Sequence, residues 1–325
     1  MKRLSGAAIA GAALLLSAAA LADDSTAALG AGGLEFTSAA DIRMAREDLY
    51  LSPNAVKIRY EFTNDGSKDV DTLVAFPLPD IDTRGFYESS IGRVGSDPVN
   101  FVDFRVVADG QSIPVQVEQR AFLDDRDVTD IVKSVGLPVN VILADNTALD
   151  KLAPAERRIL EQAGLVDASD QHHPKWTVHT KFYWTQHFPA GKTIVIEHSY
   201  KPVTGQAFFA PNDLDPNVKS GHDWQKNYCM DGPTLDAIRQ RMAQHKAAGQ
   251  NDGLLNIYST DFILKTANNW KGGIGRLHLT IDKLKPDNII SLCWNGELTK
   301  IGPTRFESTL TNVAPAQDIK LVVLE

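Results

Sequence analysis

The stretch from Val56 to Phe76 constrains the fold more than any other part of this 325-residue sequence. Apolar and polar residues alternate through it with a period of two, which is typical of strands that bury one face. Between the two runs, Asn64–Ser67 supplies residues that tolerate positive φ and close tight turns. The inward positions are Val56, Ile58, Tyr60 and Phe62, then Val70, Thr72, Val74 and Phe76. The pattern predicts a hairpin of two long core strands and, with it, a β-sandwich.

The remaining periodicities place helices only in short stretches. Helical spacing is confined to about residues 124–167 and to a segment that begins at Gly232-Pro233 and ends at Gly249. We therefore predict a mainly β protein: an antiparallel β-sandwich, as one large or two abutting sandwiches, with a small helical insert and one further short helix. The predicted division is 1–22 as a signal peptide, 23–122 as an N-terminal β-sandwich part, 123–172 as a helical insert, and 173–325 as a C-terminal β-sandwich part with a helix over 233–248.

One strand changes phase in a way that singles out charged residues. Between Ile42 and Leu51 the apolar alternation switches after Met44, which predicts a β-bulge near Arg46-Glu47-Asp48. Bulges can re-aim side chains towards a site, so Glu47 and Asp48 are candidate binding residues. The alternative is a twisted edge strand with solvated charges.

The first 22 residues have the pattern of an export signal. Lys2 and Arg3 precede an apolar run from Leu4 to Ser17, and Ala20-Leu21-Ala22 supplies small residues for a signal peptidase. We predict cleavage after Ala22 and a periplasmic or secreted protein. An uncleaved membrane anchor is the alternative, which the short and modestly hydrophobic run disfavours. No later segment is apolar enough to predict a membrane span.

Charge excludes some partners. The formal net charge of −8 becomes −10 once Lys2 and Arg3 leave with the signal peptide. Such an acidic protein repels phosphate backbones and anionic lipids, so nucleic acids and membrane surfaces are not expected partners.

Cys229 and Cys293 are the only cysteines. In an oxidising compartment such a pair predicts a structural disulfide. Redox catalysis is the alternative, but the sequence has no Cys-x-x-Cys motif.

The sequence carries no established signature of catalysis or metal binding. It lacks the Gly-x-Ser-x-Gly, His-Glu-x-x-His and phosphate-loop patterns, so catalytic residues are not identified and no cofactor is predicted. The spacing of its histidines matches no metal motif, and we predict no metal site. The histidines tested for this are His172, His173, His179, His187 and His198.

Two single residues remain as candidate binding residues. His198 shares parity with Ile194 and Ile196 and is therefore expected to face inward, either as a core histidine or as a general base. Trp224 is singled out because it lies in a long polar segment, 202–231, and long loops often carry function.

Several short motifs are spread along the mature chain: Gly32-Gly33-Leu34-x-Phe36, Glu47-Asp48-Leu49, Ala75-Phe76-Pro77-Leu78-Pro79-Asp80-Ile81, Tyr183-Trp184-x-Gln186-x-Phe188-Pro189-Ala190-Gly191, His198-x-Tyr200-x-Pro202, Tyr228-Cys229-x-Asp231, Asn269-Trp270 and Ser291-x-Cys293. Together they resemble one family of exported bacterial proteins, domain of unknown function 4424. The resemblance implies export and a single unit, and it assigns no activity.

These observations favour a periplasmic binding or interaction module of the cell envelope, whose partner is an unknown envelope protein or a glycan. The alternative is an envelope hydrolase with a site built from scattered carboxylates and His198. Because no catalytic signature is present, the sequence favours binding over catalysis.

Overall fold

The computed structural model describes residues 23–30, 33–85, 90–91, 97, 99–144, 147–169, 173–215, 217 and 223–325. The predicted signal peptide, residues 1–22, and His172 lie outside these ranges. The described part is mainly β, as predicted, with twenty strands in three sheets and five α-helices.

The elements are numbered in chain order. The strands are β1 (Ser25–Gly30), β2 (Gly33–Thr37), β3 (Ile42–Ser52), β4 (Ala55–Asn64), β5 (Val70–Pro77), β6 (Ile81–Asp82), β7 (Ser90–Ile91), β8 (Arg105–Ala108), β9 (Gln111–Ile113), β10 (Gln116–Leu123), β11 (Arg126–Asp127), β12 (Thr177–Phe188), β13 (Thr193–Tyr200), β14 (Gly205–Phe209), β15 (Leu255–Phe262), β16 (Ile274–Asp282), β17 (Ile289–Leu292), β18 (Thr299–Lys300), β19 (Arg305–Val313) and β20 (Ile319–Leu324). The α-helices are α1 (Thr129–Ser134), α2 (Val141–Ala144), α3 (Pro154–Gln162), α4 (Trp224–Asn227) and α5 (Gly232–Ala247). Short 3-10 helices cover Thr83–Gly85, Leu149–Lys151, Pro211–Leu214, Asn251–Gly253 and Lys265–Asn269.

Each sheet combines strands that are distant in sequence. The seven-stranded sheet has the order β11-β10-β12-β5-β1-β2, with β6 also paired to β12. The eight-stranded sheet has the order β18-β19-β16-β3-β4-β13-β8-β9, and the five-stranded sheet has the order β17-β20-β15-β14-β7. Among the described pairs only β16 with β3 is parallel, so the eight-stranded sheet is mixed.

The hairpin predicted over Val56–Phe76 is wrong in its pairing, although both strands form. β4 pairs with β3 and β13, whereas β5 pairs with β1 and β12 in a different sheet. Asn64 holds the connection, because its Nδ2 donates to the carbonyl oxygens of Lys68 and Phe188 at 2.9 and 2.8 Å. The turn therefore carries the chain across the core. A crossover between facing sheets gives the same alternation as a hairpin, because both bury one face of each strand.

The described part of the chain has two main hydrophobic cores, and the five-stranded sheet separates them. The larger core lies among the inner faces of the three sheets and includes residues of the helical insert. The second core lies between the other face of the five-stranded sheet and α5. Its buried members are Phe209, Trp224, Tyr228, Met230, Ile238, Met242, Leu255, Ile257, Val322 and Leu324.

The predicted disulfide is present and closes one side of the second core. Cys229 follows α4 and Cys293 follows β17, with 5.1 Å between their Cα atoms. The predicted polar loop 202–231 contains β14, a 3-10 helix and α4, so it is more structured than its composition indicates. In the described part of the chain, no helix has the length and apolarity that a membrane crossing requires.

Candidate functional site

The predicted β-bulge on β3 decides where two candidate residues point. The register of β3 against β4 shifts between Met44 and Arg46. Because the extra residue reverses the alternation, Glu47 turns inward with no exposed surface, and Asp48 turns outward and is half-buried. The two neighbours therefore belong to different sites on opposite faces of the eight-stranded sheet.

The inward site is a group of ionisable residues that we call the buried acidic cluster: Asp23, Asp24, Glu47, Tyr60 and His198. None is more than 2% exposed. The last three come from β3, β4 and β13, which are adjacent strands, and the pairing of β3 with β4 sets Glu47 opposite Tyr60. Two of the residues predicted from the sequence, Glu47 and His198, thus belong to one cluster.

Asp23 and Asp24 link this cluster together. The Tyr60 hydroxyl donates to Asp23 Oδ1 at 2.5 Å, and the backbone amide of Asp24 donates to the same oxygen at 2.8 Å. Asp24 Oδ2 lies 3.6 Å from His198 Nε2. The two aspartates therefore connect the tyrosine to the histidine inside the core.

Hydrogen bonds to residues 266–270 fix the position of the segment 23–25. The Asp23 nitrogen donates to Thr266 Oγ1 at 2.5 Å, and Trp270 Nε1 donates to the Asp24 carbonyl at 2.5 Å. The Asn269 amide donates to the Ser25 hydroxyl at 2.8 Å. The start of the described chain is therefore anchored in the core by the 3-10 helix Lys265–Asn269 and the residue that follows it.

Four aromatic rings enclose the imidazole of His198. The ring centroids of Tyr60, Phe76, Phe104 and Trp184 lie 5.1 to 5.3 Å from its own, all at steep interplanar angles. Burial among these rings lowers the pKa of His198 to about 3, so its imidazole is neutral at neutral pH.

The carboxyl groups of the cluster are poorly compensated. Burial raises the pKa of Asp23 to about 8 and raises the pKa of Asp24 and Glu47 well above their usual range, with neighbouring carboxylates adding to the last two. Within the described residues, Asp23 Oδ2, both carboxylate oxygens of Asp24 and Glu47, and both ring nitrogens of His198 have no hydrogen-bond partner. Such burial costs free energy unless a positive charge is present.

The cluster is also closed to solvent. The side chains of Asp24 and His198 have no accessible surface. A substrate therefore cannot reach His198 in this conformation, so the geometry does not support the general-base role considered for it. In the ranges that the structure describes, no three His, Cys, Asp or Glu residues are grouped to hold a metal ion.

The other histidines lie apart from this cluster. His179 stacks on Phe122 at 4.4 Å between centroids, and its Nε2 lies 3.4 Å from Asp80. His187 is exposed and pairs with Asp71 at 2.8 Å. Each therefore has a local acidic neighbour.

The outward site is an open groove across the outer face of the eight-stranded sheet, with a volume of about 380 Å³. We call it the outer groove. Strand register sets two rows of its side chains, the first across five strands and the second across four. The first row is Thr280, Tyr50, Lys57, Ser199 and Arg105, and the second is His278, Asp48, Arg59 and Glu197.

The second row is largely occupied with its own ion pairs. Asp48 accepts from Arg46 at 2.9 Å and lies 3.7 Å from His278, while Arg59 bonds to Glu61 at 2.6 Å. The charges of this row are therefore mostly satisfied within the protein.

The first row is more open. Lys57 and Arg105 are exposed, with Ser199 between them, and the Lys57 ammonium lies 5.9 Å from the centre of the Tyr50 ring. The first row thus presents positive charge, a hydroxyl group and an aromatic ring along one line.

Trp224 belongs to neither site. It begins α4 and is buried in the second core, where its ring centroid lies 5.7 Å from that of Tyr228. The polar composition around it concealed a short helix that turns the indole inward.

The fold and these sites define a mainly β protein with a sealed acidic cluster on one face of a sheet and an open, partly cationic groove on the other. The chain belongs to the family described as Domain of unknown function (DUF4424), whose model matches residues 22–322. A search of curated proteins finds no match.

Three solved structures show distant likenesses. A candidate nutrient binding protein from Legionella pneumophila is 13% identical with a TM-score of 0.47, over 94% of this chain and 70% of that one. An M1 zinc metallopeptidase from Deinococcus radiodurans is 7% identical with a TM-score of 0.28, over 89% and 43% of the two chains. The LTA4 hydrolase of yeast is 7% identical with a TM-score of 0.28, over 88% of this chain and 29% of that one.

Proposed function

We propose that the protein is an exported binding module of the cell envelope, and that its outer groove binds a small acidic sugar unit. The observation that carries this proposal is the first row of the groove, where Lys57 and Arg105 flank Ser199 beside the ring of Tyr50. A carboxylate or phosphate group meets the two cations, and the sugar ring packs against the tyrosine.

The size and charge of the groove support a small ligand. Its volume of about 380 Å³ is within the range of about 300–1,000 Å³ that is usual for small-molecule sites. The whole chain carries a net charge of −8, so an exposed pair of cations is a local departure from an acidic background. Such a patch raises the local concentration of anions at the groove.

Export is supported by the pattern of the first 22 residues and by the disulfide. The apolar run Leu4–Ser17 is followed by Ala20-Leu21-Ala22, which is typical of a cleaved signal. A structural disulfide such as Cys229–Cys293 is typical of proteins that fold outside the reducing cytoplasm. We place the mature protein in the periplasm or outside the cell.

The alternative, a hydrolase built on His198 and scattered carboxylates, has less support. The cluster that unites His198 with Asp24 and Glu47 has no solvent-accessible opening to admit a substrate. The groove on the outer face is open, but of its acidic residues Asp48 is held by Arg46 and lies 3.7 Å from His278, and Glu197 lies opposite Arg59 in the strand register. Binding therefore accounts for the geometry better than hydrolysis.

The test is a calorimetric titration of the mature protein with glucuronic acid, glucose 6-phosphate and glucose at low and at moderate salt. We expect the two acidic sugars to bind, glucose to bind at least tenfold more weakly, and added salt to weaken the acidic sugars, because exposed charges are screened. In the variants Lys57→Ala and Arg105→Ala the affinity should fall about ten- to hundredfold, since a hydrogen bond to a charged group contributes about 1.5–3 kcal/mol.

Arg276→Ala is the matched control. Arg276 is an exposed arginine on β16 whose side chain leaves the same outward face, away from the groove lining. This variant should bind as the unmodified protein does. Equal binding of glucose and glucuronic acid, no binding of either acid, or an equal loss in Arg276→Ala would each refute the groove as the site.

A further inference from the structure

The buried acidic cluster contains three carboxyl groups, and two of them belong to the first two residues after the predicted cleavage point. Asp23 and Asp24 are both fully buried, as is Glu47. In the described part of the chain, the charges that act on Glu47 are those of Asp23, Asp24 and Asp48, and all are negative. A core of this kind requires a buried positive charge or protonated carboxyl groups.

We propose that removal of the signal peptide after Ala22 frees the α-amino group of Asp23, and that this ammonium is the buried cation that compensates one carboxylate of the buried acidic cluster. The inference rests on the export part of the proposed function and is independent of the ligand of the outer groove. It gives the cleavage a structural role, because the fold acquires its missing charge only when the leader is removed.

The chemistry of the cleavage supplies what the cluster lacks. Water adds across the Ala22–Asp23 peptide bond: the hydroxyl joins the Ala22 carbonyl carbon, the nitrogen of Asp23 gains the hydrogen, and at neutral pH the products are a carboxylate and an ammonium. A peptide nitrogen offers one N–H donor and no charge, whereas an ammonium offers three donors and a unit positive charge. The mature nitrogen thus gains two donors.

The position of the Asp23 nitrogen fits this role. It already donates to the hydroxyl oxygen of Thr266, a residue with no exposed surface. The Asp23 side chain accepts a hydrogen bond from the Tyr60 hydroxyl, and the Asp24 carbonyl accepts one from the Trp270 indole. The nitrogen is therefore fixed inside the core, on the residue whose Oδ2 has no hydrogen-bond partner among the described residues and whose charge acts on Asp24 and Glu47.

The first test compares two chains released from a fusion by a protease that leaves a native amino terminus. One chain starts at Asp23, and the other starts at Ala20 and carries its ammonium three residues away from the cluster. We expect the unfolding equilibrium constant of the Asp23 chain to be at least tenfold smaller in urea titrations. Equal stability of the two chains would overturn the proposal.

The variant Glu47→Gln, placed in both chains, separates charge balance from crowding by the extra residues. In the Asp23 chain it should increase the unfolding constant about tenfold, because it removes a partner of the ammonium. In the Ala20 chain it should decrease the unfolding constant, because it removes an uncompensated buried acid. The same sign of effect in both chains would contradict the proposal, since steric strain alone predicts no reversal.

A second readout does not depend on these variants. An aldehyde reagent selective for α-amines should modify the folded Asp23 chain at least a hundredfold more slowly than the same chain in urea. The folded Ala20 chain should show no such protection. Rapid modification of the folded Asp23 chain would refute a buried ammonium.

The export premise is tested separately, by the mass of the protein recovered from the periplasm or medium. A mature chain that begins at Asp23 meets the premise, and the stability comparison then decides the role of the ammonium. A chain that begins elsewhere, or remains in the cytoplasm, refutes the premise and with it this proposal, but leaves sugar binding by the groove to its own titration.

Discussion

At the scale of single residues, His198 is the clearest case of a side chain whose state is set by its surroundings. Its pKa of about 3 in the folded protein lies well below the ordinary value of 6.5, because burial disfavours the imidazolium. Between these values the unfolded chain binds a proton that the native chain does not. The stability that His198 contributes is therefore present above pH 6.5 and lost as the pH falls towards 3.

This sign gives a prediction for the variant His198→Phe, whose ring fits among the surrounding aromatic rings. The free energy of unfolding of the unmodified protein should fall between pH 6.5 and 4.5 by about 2 kcal/mol more than that of the variant, since the slope approaches 1.36 kcal/mol for each pH unit below the unfolded pKa. The carboxyl groups of the same cluster, from Asp23, Asp24 and Glu47, shift in the opposite direction and are present in both proteins. Urea titrations at several pH values measure the difference.

His278→Phe is the control, since His278 lies half-buried on the outer face of the sheet. Its unfolding free energy should follow the pH dependence of the unmodified protein much more closely. If the two variants flatten the pH dependence equally, His198 is not the group responsible.

Residue-level predictions from the sequence succeeded where parity along one strand was enough. The inward position of His198 follows from its neighbours on β13, and the phase change in β3 located the bulge that buries Glu47. Asp23 and Asp24 were missed, because nothing in a small-residue lead-in indicates that it inserts between two sheets. The only available signal was a pair of acids directly after the predicted cleavage site.

At the scale of elements, the bulge depends on a contact between β3 and its parallel neighbour β16. A Cβ atom added at Gly275 would lie 2.6 Å from the carbonyl oxygen of Ala45, which is the bulged residue. The glycine therefore allows the bulged backbone of β3 to approach β16 closely, next to the point where Glu47 is turned inward.

We expect Gly275→Ala to reduce the free energy of unfolding by about 1–3 kcal/mol, because the added methyl group forces backbone atoms apart. Gly302→Ala is the matched control: an added Cβ meets nothing within 4 Å, and the substitution should change stability by less than about 0.5 kcal/mol. Urea unfolding of both variants measures this. A Gly275→Ala variant as stable as Gly302→Ala would show that the close approach of the two strands does not support the bulge.

The strands themselves were predictable, and their partners were not. Alternation located β4 and β5 correctly, but it is a property of one strand against one core and says nothing about which sheet the strand joins. The decisive contacts of the crossover are long-range, such as the bond from Asn64 to the carbonyl of Phe188. For the same reason the sequence does not show that Lys57 and Arg105 lie in the same row.

At the scale of the whole molecule, the sequence left open whether the chain forms one sandwich or two. In the structure the two main cores share the five-stranded sheet, because adjacent residues of β20 face different cores. Val323 is buried in the larger core and Val322 in the second. A strand with both faces buried reads as a continuous apolar run, and such a run does not indicate what covers each face.

A shared strand predicts that the two cores unfold together. We expect a single calorimetric transition for the described β protein, in which Val322→Ala and Val323→Ala each lower the free energy of unfolding by about 1–3 kcal/mol, since both side chains are fully buried. Each variant should therefore lower the midpoint of the same transition by a few degrees, although the two substituted side chains lie on opposite faces of the sheet. The pair is its own control, because the residues are neighbours of one type in one strand. Two resolved transitions, with Val322→Ala moving only one of them, would mean that α5 and the second core unfold as a separate unit.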